Sequence, residues 1–265
     1  MVLIYFNALE KIVKDSFTAV KDCTTDSATT SPIIVGGMAI QVHCYQDQDL
    51  LRSTSDLDLL YLPRIESFQQ FQDGEGGKIL RAIRKSGYQV QLKKSRANYE
   101  VKVMDGQGNK AKQLFFIHFD CLSDELFAKT GYISQREVEN AIFHEQGEFA
   151  GLYVKRLEDI LPHKVKRVRG KIQAGAQSNP LFGTLYQQAE RMLWKNLAPL
   201  ATKEWCNQIA DMQNSFPSDE KSHSPVYDVN KDLYDICLLA RKIESSPGMF
   251  NRSYYLNSVR EINSI

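Results

Sequence analysis

The sequence predicts an α+β protein, with a mixed β-sheet flanked by helices over residues 1–145 and a helical domain over 146–265. Three observations predict it. Apolar residues in the first half recur partly at helical spacing and partly in short runs and alternations of strand type. From about Gln135 the periodicity turns mostly helical. A change of pattern on that scale separates a sheet-containing domain from a helical one.

Ile4, Leu9, Ile12, Val13, Phe17 and Val20 approximate one face of an amphipathic helix over residues 3–21. "KDCTTDSATTSP" is a polar loop ending at Pro32. "IIV" reads as a short buried strand broken by Gly36-Gly37, and "MAIQVHCYQ" as a helix starting directly after the glycines. "STSDLDLLYL" is a strand closed by Pro63. Helix is expected from Ile65 to Lys85, with "DGEGG" as an interrupting loop. "YQVQL", "YEVKVM" and "QLFFIHFDC" read as strands, the last two joined by the hairpin-like "DGQGNKAK". Further helices are expected near 156–172, 181–197, 200–213, 229–244 and 252–262, with "NSFPSDEKSHSP" as a polar linker.

Composition narrows the function classes. Lysine plus arginine (33) balances aspartate plus glutamate (32), so global charge points to no partner. The five cysteines are scattered without a CxxC pair, which predicts reduced thiols in a cytosolic compartment. The five histidines show neither HxxxH nor HExxH spacing, which argues against a zinc site; His43 and His118 read as structural. Phe115, Phe116 and Phe119 read as core. No stretch has the form of a signal peptide or approaches the ~18 apolar residues of a membrane span, so a cytoplasmic protein without a membrane partner is expected.

The chemistry concentrates at Asp56 and Asp58. On a strand they share one face, while Leu57 and Leu59 share the other. Two neighbouring carboxylates repel unless a cation lies between them, and Mg2+ takes such oxygens together with substrate phosphates. A half-exposed strand with its polar face in water is the plainer account of an isolated pair. Gly36-Gly37, between a strand and a helix, changes the balance, because bare backbone can approach a ligand and the first helical N–H groups favour phosphate. Arg52 and Thr54 lie just before the acids, where a guanidinium could clamp a phosphate oxygen.

Asp120 ends an apolar strand and shares a face with Phe116 and His118. It either caps the following loop or supplies a third acid. In the second case Asp56 and Asp58 would bridge two metal ions ~4 Å apart, and Asp120 would take a hydroxyl proton or bind a metal ion. Farther on, Lys164, Arg167 and Lys171 share a helix face that suits a triphosphate, an RNA backbone or plain solvent. Asp232 and Asp235 share another, and could orient Lys164 or lock the two helices together.

The ordered set G36-G37, R52-S53-T54-S55-D56-L57-D58, K164 with R167 or R169, and K231-D232-L233-Y234-D235 resembles the signature of the polymerase-β-like nucleotidyltransferases. Within that superfamily it looks most like the AbiEii-type toxin group. The resemblance runs from about residue 33 to 240. It implies a nucleotidyltransferase fold followed by a helical bundle, with Mg2+ as cofactor and an NTP as donor substrate. Asp56, Asp58 and Asp120 would hold metal, and Lys164, Asp232 and Asp235 would complete the catalytic set. Gly36, Gly37, Met38, Arg52, Thr54, Lys164 and Arg167 would contact the nucleotide. The implied acceptor is RNA, such as tRNA, or a protein hydroxyl, and the implied partner is a cognate antitoxin. Met38 departs from the pattern, which often has Ser or Thr there. A catalytically silent scaffold and a small-molecule nucleotidyltransferase are the alternatives.

Overall fold

Seven strands form one mixed sheet in the order β3-β4-β5-β2-β1-β7-β6. They are β1 (Ile33–Val35), β2 (Asp56–Tyr61), β3 (Gln89–Lys94), β4 (Asn98–Asp105), β5 (Lys112–Cys121), β6 (Ile142–His144) and β7 (Leu152–Val154). In this computed structural model the described residues are 11–46, 54, 56–61, 68–94, 98–105, 112–121, 135–173, 207, 211 and 225–264. The chain divides into a unit Leu3–Arg156, which holds the whole sheet, and a unit Leu157–Ile265. The first unit extends past the expected boundary at 145 because β6 and β7 join the sheet beside β1, β7 parallel to it.

Pairing follows the apolar pattern. β1 is buried on both faces, as three consecutive aliphatic residues require. It runs antiparallel to β2, which is parallel to β5. β3, β4 and β5 form an antiparallel meander, as the hairpin signal predicts. On one face Leu57, Leu59, Val101, Val103, Phe115 and Ile117 are completely buried. Phe71 packs into that layer, stacked on Tyr99 at 4.3 Å between ring centres and edge-on to Phe119 at 5.0 Å. Phe115 and Phe119 are therefore core, as expected, while Phe116 is only partly buried on the opposite face.

The helices of this unit are α1 (Lys11–Lys21), α2 (Gly36–His43), α3 (Phe68–Asp73), α4 (Glu75–Lys85) and α5 (Gln135–Glu139). α2 takes in both glycines and so starts two residues earlier than expected. Nor is "DGEGG" a loop, since Glu75, Gly76 and Gly77 open α4. A Cβ on Gly76 would collide with the Phe71 ring, so these glycines let α3 fold tightly onto α4.

The described elements of the second unit are helical: α6 (Leu157–Gln173), α7 (Pro225–Ser245) and α8 (Arg252–Ser264), with a single 3-10 turn at Pro247–Met249. α6 packs against α7 and α8. Asp159, fully buried, accepts hydrogen bonds from Tyr254 Oη at 2.8 Å and Ser258 Oγ at 2.6 Å, fixing α8 to α6. The helices expected near 181–197 and 200–213 lie outside the described residues, apart from Asn207 and Asp211. Among the described residues no helix is long and apolar enough to cross a membrane. Cys23 and Cys44 are buried free thiols, but Cys237 is disulfide-bonded, against the expectation of reduced thiols throughout.

Phe71→Ala removes the ring that Tyr99 and Phe119 share, and is expected to destabilise the first unit by about 3–5 kcal/mol. Urea denaturation measures it; a loss below about 1 kcal/mol would contradict this packing.

Candidate metal centre

Strand register builds the centre. Asp58 stands opposite Val35 of β1 on one side and His118 of β5 on the other, and His118 in turn stands opposite Glu100 of β4. One row of side chains thus crosses the sheet as Asp58, His118 and Glu100. The next row is Asp56, Phe116 and Lys102. Both rows lie on the face opposite Leu57 and Leu59, as alternation along β2 predicts.

His118 Nδ1 is 3.0 Å from Asp58 Oδ1, and its Nε2 is 3.7 Å from Glu100 Oε2. All three side chains keep about a quarter of their surface exposed, so the row is open to solvent or a ligand. Burial alone would depress the His118 pKa. The hydrogen bond to Asp58 and the charges of Asp58, Asp56 and Glu100 outweigh it, and the ring's pKa is raised above its ordinary value. Ligand atoms of Asp56, Asp58 and His118 all lie within 4.8 Å of one another.

Gly36 makes the centre possible. Its φ is +66°, and a Cβ there would run into the Asp58 carboxylate. The start of α2 therefore lies directly against Asp58. The residue before it, Val35, offers no side-chain cap, which leaves the first-turn N–H groups without that kind of partner. Met38 is completely buried, so any contact with a nucleotide would be through its backbone. Thr54 is also buried, and its Oγ1 donates to Asp56 Oδ1 at 2.6 Å. Thr54, expected at the nucleotide, thereby orients one of the two carboxylates. Arg52 lies outside the described residues.

Across the strands His118 stands beside Asp58, and the expected third acid, Asp120, follows two residues farther along β5. Asp120 is on the same face, but it pairs with Leu60, one position of that face beyond His118. Leu60 is itself buried in a small apolar cluster with Ile33, Val35, Ala28, Val138 and Tyr153. At ~3.3 Å per residue, that register sets the Asp120 backbone ~7 Å along the sheet from the level of Asp58 and ~13 Å from that of Asp56. The Asp120 side chain lies outside the described residues. His118, read as structural, holds the place beside Asp58. The signal for it was present, since His118 and Asp120 alternate onto one face. Choosing between them needed the register. His43 is structural as expected: its Nε2 is 2.8 Å from the Lys155 carbonyl, joining α2 to the end of β7.

The other predicted residues meet within the second unit. Lys164, buried, donates to Asp232 Oδ1 at 2.9 Å and Asp235 Oδ2 at 2.7 Å. Arg167 Nε lies 2.8 Å and Lys171 Nζ 3.1 Å from Asp232 Oδ2. Burial pushes the Asp232 carboxyl up, but the charges of Lys164, Arg167 and Lys171 outweigh it and hold it well below the usual carboxylate range. α6 and α7 are thus joined by a buried ionic clamp, one of the two roles their spacing allowed.

Comparison with protein-family models, with curated proteins and with solved structures finds no match. The chain's own geometry carries the functional argument.

Gly36→Ala is expected to destabilise the first unit by about 2–4 kcal/mol through left-handed strain and displacement of Asp58. Chemical denaturation checks it, and a change within about 0.5 kcal/mol would contradict the contact. For the clamp the sign follows from a depressed carboxyl. The stability it contributes is present above the unfolded value of about 3.9 and is lost as pH falls below that towards the folded value. Unfolding midpoints between about pH 5 and 2.5 should therefore fall more steeply in the parent than in Asp232→Asn; equal slopes would contradict it.

Proposed function

We propose that the chain is a divalent-metal-dependent nucleotidyltransferase that moves the NMP group of an NTP onto a hydroxyl acceptor. The observation that carries this reading is the contact of Asp58, paired on its strand face with Asp56, against Gly36 at the start of α2. A carboxylate pair beside a helix start that lacks a side-chain cap brings a cation site and an anion site together. A nucleoside triphosphate with its metal has that composition.

Asp56 and Asp58 offer oxygen ligands suited to Mg2+, and a quarter-exposed Asp58 leaves access for it. When bound, the ion would neutralise charge on the phosphates and on the departing pyrophosphate. The chain's residues do the rest. Thr54 holds Asp56 in orientation. Backbone N–H groups of Gly36, Gly37 and Met38 would take triphosphate oxygens, and Arg52 would add a guanidinium. The acceptor hydroxyl gives its proton to solvent and its oxygen bonds the α-phosphorus as the bond from that phosphorus to the bridging oxygen breaks, releasing pyrophosphate. In the second unit, Arg167 keeps about a third of its side-chain surface exposed while its Nε pairs with Asp232; the sequence resemblance alone assigns it to the nucleotide. Lys164, Asp232 and Asp235 enter the reading as its support. The sequence resemblance supports the same chemistry and adds RNA, such as tRNA, or a protein as acceptor, within a toxin–antitoxin pair.

Labelled NTPs incubated with the protein, Mg2+ or Mn2+ and total RNA or protein should yield labelled acceptor. Asp56→Asn and Asp58→Asn, checked for unaltered melting, should lose transfer by at least about 100-fold. NTP binding without transfer to RNA, protein or small hydroxyl compounds, or undiminished transfer by Asp58→Asn, would overturn the proposal.

A further inference from the structure

We propose that His118, backed by Glu100, is the third ligand of the centre, and that its N,O,O donor set favours first-row transition ions over Mg2+. The inference rests on the metal reading of Asp56 and Asp58 and specifies which metal.

Three features of the site carry it. First, the separation of His118 Nδ1 and Asp58 Oδ1 is 3.0 Å. Two adjacent ligands at about 2.1 Å from one ion are separated by about 3 Å, so an ion can replace the shared proton with little movement of either side chain. The remaining ligand atom, from Asp56, lies within the 4.8 Å span of the set. Second, the imidazole has a partner behind it. Glu100 is the cross-strand neighbour of His118, and its Oε2 is 3.7 Å from Nε2. Metal-ligating histidines commonly direct the second ring nitrogen at a carboxylate, which fixes the ring and raises its basicity as a ligand. Third, the Phe116 ring lies beside the imidazole, tilted 28° from it at 5.9 Å between centres. Lys102 Nζ lies 5.9 Å from the Phe116 ring centre, adding a further contact to that ring.

Donor chemistry then sets the preference. Mg2+ favours all-oxygen surroundings and retains its water. Mn2+ and the ions after it accept imidazole as well as carboxylate. A third carboxylate in place of His118 would have suited Mg2+ better. The register puts an imidazole there instead.

The test uses the full chain with Mn2+ and Mg2+ as probes. Mn2+ affinity is read from the free-ion electron paramagnetic resonance signal and Mg2+ affinity by competition. Electron spin echo modulation reports nitrogen bound to Mn2+. The expected results are Mn2+ binding at least about 10-fold tighter than Mg2+, with one imidazole nitrogen coupled to the ion. His118→Ala should remove the coupling and weaken Mn2+ by about 10-fold or more, leaving Mg2+ within about 3-fold. Glu100→Gln should weaken Mn2+ by about 10-fold and keep the coupling. The nitrogen signal is read on the parent protein, so a poorly folded variant does not decide the matter. Bound Mn2+ without nitrogen coupling, lost on Asp58→Asn, would sink the His118 assignment and leave the carboxylate site standing. No binding of either ion by the parent would sink both.

Discussion

Asp58 is held from two sides, and the account depends on that constraint. To one side the chain turns at Gly36, a residue with no Cβ and a left-handed backbone, so the start of α2 can press against the carboxylate. To the other, the parallel register of β2 with β5 presents His118. Neither neighbour chooses this arrangement. The opposite face of the sheet does, where Leu57 and Leu59 are completely buried. A one-residue slip of β2 would exchange the leucines for aspartates in that core. Each leucine contributes about 1.5–3 kcal/mol of burial, and an uncompensated buried carboxylate opposes folding strongly. Packing on one face thereby fixes the geometry of the carboxylates on the other.

The second unit solves a different electrostatic problem. Asp232 is completely buried and would be untenable as an isolated charge. Lys164, Arg167 and Lys171 converge on it from α6, and Lys164 also reaches Asp235. Buried pairs of this kind specify which surfaces meet more than they raise net stability, because desolvation opposes the attraction. Here the clamp sets α7 against α6 in one register. That is a sufficient reason for the basic run "HKVKRVRGK" to contain no acid of its own on this face.

Much of this was legible before any coordinates. The alternation of "SDLDLLY" gives the aspartates one face and the leucines the other, and the glycine pair after "IIV" marks the turn into α2. The pairing of Lys164 with Asp232 and Asp235 follows from charge and helical spacing. What the sequence did not show is pairing across the sheet. Period-two alternation puts both His118 and Asp120 on the correct face, but only the register of β2 against β5 gives His118 the position beside Asp58. The same gap hid β6 and β7, three residues each, which are too short to show a period and are recruited by the edge of β1. Gly76 and Gly77 read as a loop because glycine breaks helices in general. Here they open α4, where the Phe71 ring leaves no room for a side chain at Gly76 and the Gln72 backbone none at Gly77.

On the proposal made above, three side chains from two strands form one metal centre beside the start of α2. Anomalous diffraction from crystals of the full chain soaked in Mn2+ tests it most directly. The account predicts a single strong peak bounded by Asp56, Asp58 and the Nδ1 of His118, about 2.1 Å from each ligand atom, with Gly36 packed behind Asp58. A peak elsewhere, or His118 still hydrogen-bonded to Asp58 with no ion between them at saturating Mn2+, would contradict it.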